Sequence, residues 1–167
     1  MHNYGCVSIA PARLDFTQSL SLLGAAVDDH IVGSLRSAGM VGLRAGHGYY
    51  VQRLLAGPAT ATEMADALGI SQQAASKAVR ELVDLGYVAF GVDDTDRRRK
   101  VAALTERGRE VVALARAARA DLDDRLRAAV GDRRFAGALD VLHTALTELG
   151  LDEAVRTRRV RPPAEAS

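Results

Sequence analysis

Residues 71–80 read S-Q-Q-A-A-S-K-A-V-R, a run of amides, hydroxyls and cations at helical spacing. At about 100° per residue, Gln72, Gln73, Ser76, Lys77 and Arg80 fall within roughly 140° of arc, facing away from the apolar stripe Ala75, Ala78, Val79 and Leu82. That face is nearly free of acids. Amides pair with adenine edges, Arg and Lys with guanine, and Ser with either or with phosphate, so the face carries what a helix in a DNA major groove requires. Ser71, ahead of it, adds a hydroxyl at the helix start. A solvated helix face has the same composition, and the neighbouring elements must decide between the two.

The second charged constellation is D-D-T-D-R-R-R-K, residues 93–100, between two short β-compatible runs, Tyr87–Phe90 and Val101–Leu104. Arginines on a narrow projecting turn suit the negative potential of a minor groove. The acids Asp93, Asp94 and Asp96 either neutralise them or fix their direction, and we expect at least one to orient an arginine. The alternative is a charged loop surrounded by its own counter-ions.

The elements that must position these residues are legible from caps and periodicity. Leu20, Leu23, Val27, Ile31 and Leu35 recur at steps of three and four, which predicts a long amphipathic helix over 14–35. Four glycines in 39–48 predict a loop or a loosely packed helix start. A helix through Tyr49, Tyr50, Val51, Leu54 and Leu55 is expected to end at Gly57-Pro58. T-A-T-E at 60–63 has the form of a capping box, and Gly69 should close the short helix it begins. Ser71 caps the next. After the hairpin, Thr105 restarts a helix to about Val130, Gly131 breaks it, and Phe135, Leu139, Leu142, Leu146 and Leu149 mark a last one.

The 167 residues carry 22 Lys plus Arg against 21 Asp plus Glu, a formal net charge of +1, so bulk charge makes no case for nucleic acid. Within 60–105 the six bases Lys77, Arg80, Arg97, Arg98, Arg99 and Lys100 are outnumbered by the seven acids Glu63, Asp66, Glu81, Asp84, Asp93, Asp94 and Asp96. Any argument for DNA rests on placement. The single Cys6 excludes an intrachain disulfide framework and a cysteine zinc site, and it fits a reducing compartment. His2, His30, His47 and His143 lack metal-ligand spacing, and no catalytic constellation, phosphate loop or metalloprotease motif is present; no cofactor, metal or enzymatic activity is expected. Without a signal-like or membrane-spanning run, a soluble cytoplasmic protein is expected.

Residues 60–108, from T-A-T-E through D-D-T-D-R-R-R-K to L-T-E-R-G, resemble the MarR family of bacterial transcriptional regulators. The family wing reads approximately D-P-x-D-R-R and ends in L-T-x-x-G; Asp93, Asp96, Arg97, Arg98, Leu104, Thr105 and Gly108 occupy those places, with Asp94 where Pro is usual. The resemblance implies a mainly α fold with a small β-hairpin wing, a winged helix-turn-helix between long N- and C-terminal dimerisation helices. It implies a homodimer on a palindromic double-stranded operator, nucleoid-associated when bound, with Arg98 and then Arg97 in the minor groove, Asp96 orienting them, and Arg99 available for phosphate. It also implies a pocket for small, often anionic aromatic effectors, for which Arg44, His47 and Tyr50 are the candidates, and repression relieved by that ligand.

The expected division is an arm and dimerisation helix over 1–38, a winged unit over 39–108 with its recognition helix at 71–85 and wing at 87–104, dimerisation helices over 109–150, and a disordered tail over 151–167 containing Arg156, Arg158, Arg159 and Arg161. Three alternatives stand beside the ligand-released repressor: a winged protein-interaction module, a DNA-binding regulator without a ligand, and an oxidant sensor acting through Cys6.

Overall fold

The computed structural model describes residues 14–92, 96–157 and 159–160. In chain order they form α1 (Phe16–Ser37), α2 (His47–Leu54), α3 (Ala61–Leu68), α4 (Gln72–Asp84), β1 (Val88–Val92), β2 (Lys100–Leu104), α5 (Glu106–Val130), α6 (Asp132–Glu148) and α7 (Asp152–Arg156). The fold is mainly helical with one antiparallel hairpin, a winged helix-turn-helix carried between long helices.

Capping residues set most of the boundaries. Asp15 and Gln18 form a reciprocal capping box at the start of α1, and Thr60 and Glu63 form another at α3. Ser71 Oγ accepts the Ala74 amide at 3.1 Å to open α4, and Gly69, at φ 62°, closes α3 in the left-handed conformation. The glycine-rich segment is a loop through Gly46 and becomes the start of α2 at His47, with Gly48 inside the helix.

One apolar cluster joins the C-terminal half of α1 (Ile31, Leu35) and the N-terminal half of α5 (Val111, Val112) to α2 and the winged unit. Met64, Leu68, Leu82, Tyr87 and Val88 are the largest of its fully buried side chains. The periodicity of α1 is only half used. Ile31 and Leu35 are buried, but Leu23 is 60% exposed, and no residue of α6 is buried.

Two expectations about element ends are corrected. Gly57-Pro58 does not terminate α2, which stops at Leu54; the Ala56 and Gly57 amides then donate to the carbonyls three residues back, Arg53 and Leu54, in a tighter turn. The early exit lets Ala59 run extended beside β2, its N–H and C=O both bonded to Ala102 at 3.0 and 2.8 Å. The start of the tail is not disordered: Asp152–Arg156 is helical. Acids in its first turn suit the helix dipole, and Arg156 Nε lies 3.2 Å from Glu153 Oε2. Arg159 is described and its amide donates to Ala154, whereas Arg158 and residues 161–167 lie outside the described residues.

Candidate nucleic-acid interface

Buried Ala75, Val79 and Leu82 fix the rotation of α4, which leaves Gln73, Lys77 and Arg80 exposed and Ser76 half-buried on the polar side. Gln72 is exposed but engaged: its amide nitrogen donates to Thr62 Oγ1 at 3.0 Å, bracing α4 against α3. Ser71 is spent in the same way, as the cap.

The wing is anchored at its base by the L-T-x-x-G segment. Thr105 Oγ1 donates to the Gly86 carbonyl at 2.8 Å and accepts the Gly108 amide at 3.0 Å, while the Thr105 amide reaches the Tyr87 carbonyl at 3.1 Å. Gly108 permits the last contact. A Cβ there would lie 2.0 Å from the Tyr87 oxygen. The buried Tyr87 ring is itself tied down, its hydroxyl donating to the Val41 carbonyl at 2.9 Å.

At the tip, Arg97 and Arg98 are exposed. Asp96 accepts the Arg98 amide on Oδ1 at 3.0 Å and the Arg99 amide on its carbonyl at 2.9 Å, so its carboxylate and backbone shape the turn that presents the arginines. Asp93 and Asp94 lie outside the described residues, and so does the effect of Asp94 in place of Pro. Arg99 is drawn back from the tip to Glu63 of the α3 capping box. The Thr60 amide, first, and the Arg99 guanidinium hold the Glu63 carboxyl below the usual carboxylate range.

Beside the polar face of α4 lies a cluster that the sequence did not disclose. Glu81, one turn beyond Lys77 on α4, receives both the Arg44 guanidinium and the His47 ring, with His47 Nε2 3.2 Å from its Oε2. The Arg44 amide points at His47 Nδ1 at 3.3 Å, and its guanidinium Nη2 lies 3.2 Å from His47 Nε2, so Arg44 brackets the ring that faces the carboxylate. The His47 bond, first, and the Arg44 charge lower the Glu81 pKa. The separations of 34 and 37 residues give sequence reading no handle.

Arg44 and His47 also line a cavity of about 60 Å³ between α1, α2 and α5, with Ile31, Val51, Val111 and Arg119. Tyr50, grouped with them from sequence, is buried in the core and does not line it. Tyr49 instead borders the adjoining cleft with Asp28, Gln52 and Arg119. A third depression separates α4 from the wing, with Ser76 and Arg80 on one rim and Phe90 and Lys100 on the other.

Residues 49–99 match the model of the MarR family. The match runs from α2 through the helix-turn-helix into the wing tip, and over this segment the resemblance read from the sequence is borne out. No curated protein matches the chain. Among solved structures, a MarR transcriptional regulator from Methanosarcina mazei Go1 is similar at 24% identity and TM-score 0.61, over 81% of this chain and 95% of that one. Transcriptional regulator Tm0710 from Thermotoga maritima is similar at 21% identity and TM-score 0.59, over 83% and 96%. A MepR variant from S. aureus, bound to an oligodeoxyribonucleotide, is similar at 18% identity and TM-score 0.57, over 81% and 99%. The chain thus has the architecture of a MarR-family transcriptional regulator along most of its length. Among the described residues no helix is long and apolar enough to cross a membrane.

Proposed function

We propose that the protein is a dimeric regulator that binds double-stranded DNA sequence-specifically in the bacterial cytoplasm. The observation that carries this reading is the presentation of two cationic elements by one rigid unit. The apolar stripe of α4 is buried, leaving Gln73, Lys77 and Arg80 outward, and Thr105 and Gly108 brace the hairpin that carries Arg97 and Arg98. Lys77, Arg80, Gln73 and Ser76 read or position on the major groove, and Arg97 and Arg98 enter the flanking minor groove. Ser71 and Gln72 contribute by holding α4, and Asp96 by shaping the tip. The oligodeoxyribonucleotide bound to the similar MepR variant supports DNA as the partner.

The two-fold assembly is supported by what one chain leaves uncovered. Leu22, Leu23, Leu126, Val141 and Leu149 are each between 48% and 72% exposed on α1, α5 and at α6, more apolar surface than a monomer exposes at no cost. A two-fold dimer of winged units reads half-sites about one DNA turn apart.

Repression released by a small effector completes the reading. Its support is the cleft at α1, α2 and α5, where Arg44 and His47 touch both the cavity and Glu81 of α4. An effector entering this cavity of about 60 Å³ and parting α2 from α1 and α5 would move α4 through Glu81. A panel of small aromatic carboxylates should displace the wild-type protein from its operator, and Arg44→Ala should desensitise it.

The deciding experiment is selection from random duplexes with purified protein at fixed salt. An enriched inverted repeat is expected, and Arg98→Ala should weaken its binding while the dimer persists. Enrichment of no sequence would replace this reading with a protein-interaction role for the winged unit.

A further inference from the structure

The geometry points to a phosphodiester track between α4 and the wing, in which Lys100, seated on Phe90, is a DNA-binding residue acting opposite Arg80. This rests on the reading of α4 as the major-groove helix and adds a residue and a surface to it.

When one element occupies a major groove and its neighbour the adjacent minor groove, a single sugar-phosphate strand separates the two grooves and must cross the protein between those elements. Here that crossing is the depression bounded by Ser76 and Arg80 on α4 and by Phe90 and Lys100 on the hairpin, floored by Val79 and Ala102. An apolar floor suits deoxyribose, and a cation on each rim suits phosphate. β1 and β2 pair Val92 with Lys100 and Phe90 with Ala102, which places Phe90 and Lys100 diagonally on one face of the hairpin. Lys100 Nζ stands 3.8 Å from the Phe90 ring centroid, so a flexible ammonium is held at the rim before any ligand arrives.

Charge partners separate this pair from Arg44 and Arg99. Arg44 is taken by Glu81 and Arg99 by Glu63, whereas neither Arg80 nor Lys100 forms an ion pair among the described residues. Phe90 is 40% exposed, an aromatic ring left at the surface beside a lysine. A ring that only filled the core would be turned inward, as Tyr87 is on the preceding residues.

The test is a salt series, from 50 to about 200 mM, on the selected operator and on a scrambled duplex of equal length, chosen because each phosphate contact contributes about 0.9 to the log–log slope. Lys100→Gln should weaken both duplexes by the same factor and reduce the slope by about 1, with an unchanged melting midpoint and dimer. Lys100→Arg should restore both. Phe90→Leu should weaken binding less and leave the slope intact, because the charge remains and only its placement is lost. Equal affinity and slope for wild type and Lys100→Gln overturn the track, as does a loss confined to the operator, which makes Lys100 a base reader. Wild-type protein that binds neither duplex overturns the DNA reading itself, a result distinct from either.

Discussion

His47 on α2 and Glu81 on α4 stand 3.2 Å apart, Nε2 to Oε2, and Arg44 closes on the same carboxylate, so the helix beside the cleft is joined to the helix proposed for the major groove. The His47 ring is buried, while Arg44 is 58% exposed, so the histidine bond is the better-shielded half of the cluster.

That asymmetry predicts a pH signature. The His47 bond lowers the Glu81 pKa, so the ionised carboxylate stabilises the fold fully above the ordinary glutamate range, near 4.3. The contribution is lost as pH falls from there through the lowered folded value. Glu81→Gln should cost about 1 kcal/mol at neutral pH, or a melting shift of about 2–4 °C. Melting curves of the two proteins should converge in acid below that window, and a constant gap down to the most acid pH would rule the mechanism out.

Gly108→Ala tests the wing base. The added methyl meets the Tyr87 backbone oxygen, which has no rotamer by which to yield, so α5 and the hairpin must separate. A loss of about 3 kcal/mol is expected in denaturant unfolding, with weaker operator binding. A midpoint within experimental error of wild type would mean that the close approach is not required.

Arg99 and Glu63 test whether the third tip arginine is a brace. Both side chains are more than a third exposed, at 41% and 44%, so a double-mutant cycle with Arg99→Ala and Glu63→Gln should give a coupling of only about 0.5 kcal/mol. In operator binding, Arg99→Ala should cost much less than Arg98→Ala. Equal losses would return Arg99 to the phosphate role that its sequence position suggests.

Local chemistry made much of this molecule legible. Thr60, Glu63, Ser71 and Gly69 act on groups within a few residues, so their caps could be read directly and were found in place. Arg97 and Arg98 could be placed on a hairpin because the flanking runs change period. What escaped reading depends on distant partners: Glu81 with His47 and Arg44, Arg99 with Glu63, and the Ala59–Ala102 pairing that pulls the chain out of α2 before Gly57-Pro58. Tyr49 and Tyr50 show the same limit within one helix turn. Helical phase alone does not say which of two adjacent tyrosines enters the core, and it is Tyr50 that does.

The long helices show the opposite case, a pattern that was legible although one chain does not satisfy it. Leu23 continues the stripe of Ile31 and Leu35 yet is 60% exposed, and Val141 on α6 is 52% exposed beside Phe16, Thr17 and Leu20 of α1. Apolar periodicity is the trace of burial, so these side chains call for a covering surface, which in the proposed dimer is a second copy. Leu23→Glu combined with Val141→Glu should place two carboxylates in that surface and shift sedimentation from dimer to monomer at micromolar concentration. The single chain already exposes both positions, so its helical content should persist while operator binding falls as the two half-sites are no longer held together. Unchanged sedimentation of the doubly charged protein would remove this face from the assembly.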